Sequence, residues 1–247
     1  MVKIPRKKPS HEKSVSPNNT IAEVQSVSLK DTLTVSHYPY YSEFHNSNLL
    51  NNISILPNKH SRNYTLSGII LEKDSPGILY HAIGVNGAKA SDFNKYSLFF
   101  DQLAILKPDL VIISFGTNES FGKLSASGFL YQINKLVKSI KEKNKNTIVM
   151  VMTPPPSLLK RKLPNTLLND YSKELLKSAE YVVWNMLAKM GGINAPAKPQ
   201  NIALMAKDKI HYSKEGYKMQ GNLFSADFMN AYNNYIKAKS SYEHDFR

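Results

Sequence analysis

Two short apolar runs, DLVIISF at 109–115 and TIVMVMT at 147–153, constrain the fold of this chain more than any other feature. Neither alternates polar with apolar residues, so each demands cover on both faces, which is the condition of a strand inside a parallel sheet. Between them lies SASGFLYQINKLVKSIKEKN, with Leu130, Ile133, Leu136, Val137 and Ile140 recurring at helical spacing. A strand, an amphipathic helix and a second buried strand make a crossover unit, and the pattern continues: a helix through Tyr171 to Ala179, a short strand at YVVWN and a final helix from Lys214 to Ile236. The predicted fold class is α/β, a three-layer parallel sheet with helices on both faces.

The rest of the chain has a different texture. Residues 1–19 are polar, basic and proline-punctuated, which predicts a flexible tail. From Thr20 to Tyr80 the runs TIAEVQSVSL, TLTVSHYPYY, NISIL, YTLSGIILE and GILYHAIG alternate with Asn, Pro, Lys and Gly clusters, the signature of a β-rich module at 20–80. The α/β domain is then expected over 81–240.

Lys and Arg outnumber Asp and Glu by 32 to 19, a formal charge of +13. That balance suits an anionic partner such as nucleic acid, lipid headgroups or acidic cell-wall polymer, although solvated lysines along helix faces, such as Lys138, Lys141, Lys143 and Lys145, account for much of it. No recognised nucleic-acid motif accompanies the charge, so nucleic acid is not an expected partner. The absence of cysteine removes disulfides, thiolate catalysis and cysteine-bound metal together. No apolar run reaches the roughly 18 residues of a membrane span, and the basic N-terminus has no apolar segment behind it, so neither a span nor a signal peptide is expected.

In an open α/β sheet, ligands gather beyond the carboxyl ends of the strands. Three loops there carry candidate chemistry. HAIGVNGAKASDF places Gly87 where a backbone N–H can approach a ligand with no Cβ between them. DLVIISF runs into Gly116-Thr117-Asn118-Glu119, which offers the Asn118 amide as a donor toward an anion. Asp208-Lys209-Ile210-His211 precedes the last helix, and this spacing lets the carboxylate reach one imidazole nitrogen while the other faces a substrate. Each loop alone has an ordinary structural explanation; His37, His45 and His60 have no partner pattern and are read as surface or core residues.

In this order and spacing, the three loops resemble the SGNH, or GDSL-like, hydrolases. Gly87 in NGAKAS resembles the glycine of that family's second block, Asn118 in GTNE the asparagine of its third, and Asp208 and His211 in DKIHYS the pair of its fifth. The wording of these blocks is similar to the bacterial branch that includes peptidoglycan O-acetyl esterases and related cell-surface GDSL-like proteins. That branch inserts a β-rich, carbohydrate-binding-like module after its first block, which would make 20–80 the end of such an insert. The first block itself, an opening strand followed by Gly-Asp-Ser, does not occur in the 247 residues. Asp74-Ser75 is followed by Pro76 and Gly77 and lies too near Gly84 to take its place, so the nucleophile is unassigned.

The resemblance implies a carboxylic ester hydrolase in which His211 is the general base, Asp208 orients it, and the Gly87 N–H and Asn118 amide form the oxyanion hole. The implied substrate is an acylated carbohydrate or peptidoglycan ester, with neither a metal nor an organic cofactor. It further implies a periplasmic or cell-surface setting and a longer parent polypeptide of which this is the C-terminal part. The alternative is a non-catalytic glycan-binding remnant that keeps the shape of the site without its nucleophile.

Overall fold

The computed structural model describes residues 53–57, 68–73 and 75–245, and the backbone of strands at 2–3, 20–25, 30–34 and 43–44. Two compact units emerge, one of residues 1–85, 96–108 and 142–145, the other of residues 86–95, 109–141 and 146–247.

The first unit contains two small antiparallel sheets. β2 (Thr20–Gln25) pairs with β3 (Lys30–Thr34) on one side and β5 (Ser54–Pro57) on the other, while β1 (Val2–Lys3) lies between β4 (Glu43–Phe44) and β6 (Ile70–Leu71). Val2–Lys3 therefore forms a strand within the stretch expected to be a tail; the remainder of 1–19 lies outside the described residues, as do His37, His45, His60 and Asp74. GILYHAIG departs from expectation in a different way. Residues 78–84 form no strand, and Ile78 and Tyr80 are 93% and 84% exposed. An alternating apolar run becomes a strand only where an edge is free to pair with it, and among the described residues none does so. A helix of this unit, α2 (Ser97–Ile105), buries Phe100, Leu103 and Ile105.

The second unit is the α/β layer arrangement. Its sheet is parallel, ordered β11 (Val182–Trp184), β8 (Ile148–Met152), β7 (Leu110–Ser114), with Ile112 level with Met150 and Met150 with Val182. Successive side chains point to opposite faces. Met150, Met152 and Trp184 thus share one face, where they meet Met186 of the α6 turn (Met186–Lys189), Met190 just after it, and Leu223 and Phe224 of the long α7 (Lys214–Asp245). Phe224 stands edge-on to Trp184 at 5.2 Å, and Trp184 Nε1 donates to Asp227 Oδ2 at 2.8 Å, which fixes the rotation of α7 on this face. Val149, Val151 and Ile113, on the alternate face, are buried. α4 (Ala126–Lys143) and α5 (Leu167–Leu176) bring their own buried stripes, joined by Phe129 stacked on Tyr171 at 4.3 Å. A parallel sheet flanked by helices is the α/β class that the two apolar runs demanded.

β8 stops where its ladder chemistry stops. Pro154, Pro155 and Pro156 follow Thr153, and proline has no N–H to give a neighbouring strand. The chain turns instead into a hairpin of β9 (Leu158–Leu159) and β10 (Leu163–Pro164), which runs beside the loop ahead of α7. Two further short elements, α1 (Ala90–Phe93) and α3 (Thr117–Phe121), lie on the loops described next.

Candidate active site

The strand β7 delivers Gly116 at φ +120°, a conformation open to glycine and costly for other residues. A Cβ at this position would lie 2.9 Å from Pro154 Cγ and 3.2 Å from Phe129 Cζ, so the tight turn is set by packing as well as by φ. The turn starts α3 and puts Asn118 in its first turn. Asn118 Nδ2 donates to Ala88 O at 2.8 Å, which ties the third-block loop to the Gly87 loop. That bond uses one of the two amide hydrogens and leaves the other available. Gly87 sits at φ +77°, and its N–H donates to no group among the described residues.

Beneath these two loops lies Glu119, 1% exposed. Its Oε1 accepts the Ala90 N–H at 2.8 Å and its Oε2 accepts the Gly116 N–H at 2.9 Å. One buried carboxylate therefore clamps the start of α1 to the start of α3. Sequence reading passed over this residue, although an acid three positions after the turn glycine is a capping-box signal. Replacing it by alanine leaves two buried donors unsatisfied, and about 2–4 kcal/mol of stability should be lost. Urea unfolding checks this; Glu119→Gln, which keeps one acceptor oxygen, should fall between the two. A loss below about 0.5 kcal/mol would show that the donors find water instead.

The fifth-block loop is built differently, at the surface. Asp208 Oδ2 lies 2.6 Å from His211 Nδ1, while Asp208 Oδ1 accepts the backbone N–H groups of Ile210 and His211, each at 2.9 Å. Bonds from the His211 ring, then from Ile210 and His211 N–H, pull the Asp208 carboxyl down to about 2. The imidazole is thereby oriented with Nε2 outward, and it makes no bond to a serine among the described residues. Tyr212 OH donates to Pro156 O at 2.6 Å, and Leu158 N–H donates to Lys209 O at 2.9 Å, so the loop is held by the segment that follows β8. The same segment reaches the other side: Asn165 N–H donates to Ser157 O at 3.0 Å, and Asn165 Nδ2 donates to Ser120 Oγ at 2.8 Å. Asp208 and His211 are in direct contact, Asn118 is in contact with the Gly87 loop, and the two pairs are linked through residues 156–165 rather than to each other.

A family model described as GDSL-like Lipase/Acylhydrolase matches residues 55–219, well over half of the chain. The chain belongs to that family. Among solved structures it is similar to a peptidoglycan O-acetylesterase, with a TM-score of 0.71 at 20% identity over 94% of this chain and 65% of that one. It is also similar to a lipase/acylhydrolase from Enterococcus faecalis, TM-score 0.45, 24% identical over 59% of this chain and 72% of that one. A carbohydrate esterase family 3 protein from Talaromyces cellulolyticus gives 0.46 at 16% identity, over 60% and 70% of the two chains. This GDSL-like chain thus spans 65% of the length of the O-acetylesterase that it matches. No curated protein matches it in sequence.

Proposed function

We propose that this chain carries the base and oxyanion half of a serine ester hydrolase that deacetylates a carbohydrate or peptidoglycan ester, at the cell surface or in the periplasm. The observation that carries the reading is the Asp208–His211 pair at 2.6 Å, lying on a loop tied to the segment that also holds the Asn118 helix. In this reading a serine from a Gly-Asp-Ser block outside the 247 residues attacks the ester carbonyl, and His211 Nε2 takes its proton. Asp208 holds the tautomer at Nδ1. The tetrahedral oxyanion is met by the Gly87 N–H and the free hydrogen of the Asn118 amide, and His211 then returns the proton to the leaving alcohol. The likeness in fold to a peptidoglycan O-acetylesterase supports the choice of an acetylated glycan. Neither a metal nor an organic cofactor has a step in this chemistry.

A second reading is favoured by one observation, that no described serine hydroxyl bonds to the His211 ring. In that reading the chain is a glycan-binding remnant without catalysis. Acetyl-ester turnover and fluorophosphonate labelling separate the two. The chain as it stands should take up no label and show trace turnover, while a version with an opening strand and serine block should label at that serine and turn over. Asn118→Ala should then cost it about 10²–10³ in kcat. A restored version that neither labels nor turns over would favour the remnant; labelling of an internal serine in the unmodified chain would place the nucleophile within it.

A further inference from the structure

The tip of the β9–β10 hairpin is Lys160-Arg161-Lys162, three exposed cations in succession. Lys160 and Arg161 stand at φ +49° and +63°, and Lys162 N–H closes the turn on Leu159 O at 3.1 Å. A turn with both central residues at positive φ is of type I′, which Asn-Gly adopts without strain. Here the most strained positions hold a lysine and an arginine instead. The hairpin also touches the candidate site, since Leu158 N–H donates to Lys209 O, one residue from Asp208 and two from His211. Lys209 is itself at φ +60°, and Lys207 lies exposed on the other side of Asp208. Among the described residues none of these five cations forms an ion pair. The tip begins two residues beyond Leu158, about 7 Å of strand from the residue bonded to Lys209. All five cations thus lie on the two segments joined by the Leu158–Lys209 hydrogen bond, one of which carries Asp208 and His211.

We propose that Lys160, Arg161 and Lys162, with Lys207 and Lys209, form a subsite for the anionic groups of the ester-bearing chain, so that the substrate is an acyl ester on a polyanionic glycan. This rests on the ester-hydrolase reading for the identity of the site, and it adds the charge of the substrate and the residues that recognise it. The anion is a carboxylate of uronate type or a phosphodiester, and both meet lysine and arginine through the same charge-assisted hydrogen bonds. Cations at the rim of a site chiefly concentrate and orient an oppositely charged ligand, with an effect that fades as salt rises.

The test is binding of the unmodified chain to polygalacturonate and to poly(glycerol phosphate), neither of them acylated, near 0.15 M salt, so that no turnover is needed. The variant Lys160→Asn, Arg161→Gly, Lys162→Thr supplies a turn sequence that favours this backbone, and its melting temperature should not fall. Its affinity for at least one polymer should drop about tenfold or more, with a shallower dependence on salt. The polymer affected names the anion. In the unmodified chain that polymer should also protect His211 from diethyl pyrocarbonate, read by mass spectrometry, and in the variant it should not. Failure of both polymers to bind, equal binding by the variant, an unprotected His211, or tighter tip-dependent binding of a DNA oligonucleotide would each overturn the proposal. Failure of the ester-hydrolase reading is seen separately, as absent turnover of a neutral acetyl ester by the serine-restored protein.

Discussion

In a protein that also carries the serine block, His211→Ala is expected to lower kcat by about 10⁶-fold, the scale of loss when the base of a serine triad is removed. Without the imidazole the serine stays protonated, and the leaving alcohol departs without a proton. The oxyanion donors remain, so a residue of activity about 10³–10⁴ above the uncatalysed rate should survive. His211 is 60% exposed at its side chain, and truncating it empties no core space, so melting behaviour should be unchanged. Steady-state turnover of a neutral acetyl ester beside a thermal melt makes the measurement. A loss of tenfold or less would remove His211 from the chemistry.

Asp208→Asn should cost about 10⁴ in kcat, because an amide side chain no longer holds the imidazole in the tautomer that presents a free Nε2. The same variant has a signature in stability. The folded state holds the Asp208 carboxyl at about 2, against an ordinary value of 3.8, through the His211 ring and two backbone N–H groups. Folding therefore favours the carboxylate. Its contribution is complete above about pH 3.8 and is lost as pH falls through about 2. The difference in melting temperature between Asp208→Asn and the unmodified chain should close across that window. Both groups are well exposed to solvent, so the difference will be small while the kinetic loss is large. A stability gap that persists below pH 2 would point to a structural role independent of charge.

The parts of the molecule legible in the sequence share a physical trait: their signal is contained in their own residues. DLVIISF and TIVMVMT must be covered on two faces wherever they lie, and they pair as β7 and β8. Asp208 and His211 are three residues apart on one loop, and their contact needs no distant partner. The parts that were not legible depend on something elsewhere. Residues 78–84 have the alternation of a strand, but a strand exists only with a neighbour, and none of the described segments supplies one. Glu119 looks like any acid in the first turn of a helix. That it is buried under Ala90, 29 residues earlier, is decided by the fold. The β9–β10 hairpin escaped notice because Lys160-Arg161 lacks the glycine or asparagine by which such turns are recognised.

The clamp made by Glu119 has a consequence for how proteins of this build can change over generations. The Gly87 and Asn118 loops are anchored to a buried carboxylate and to packing around Gly116, so most substitutions there threaten folding before they alter selectivity. The hairpin tip beside the loop of Asp208 and His211 is exposed, and its turn is closed by a backbone hydrogen bond from Lys162 N–H to Leu159 O, which uses none of the side chains at 160–162. Mutational freedom is therefore concentrated on one flank of the site. Descendants of a common ancestor can exchange the charge and shape of the hairpin while the Gly87 and Asn118 loops stay the same.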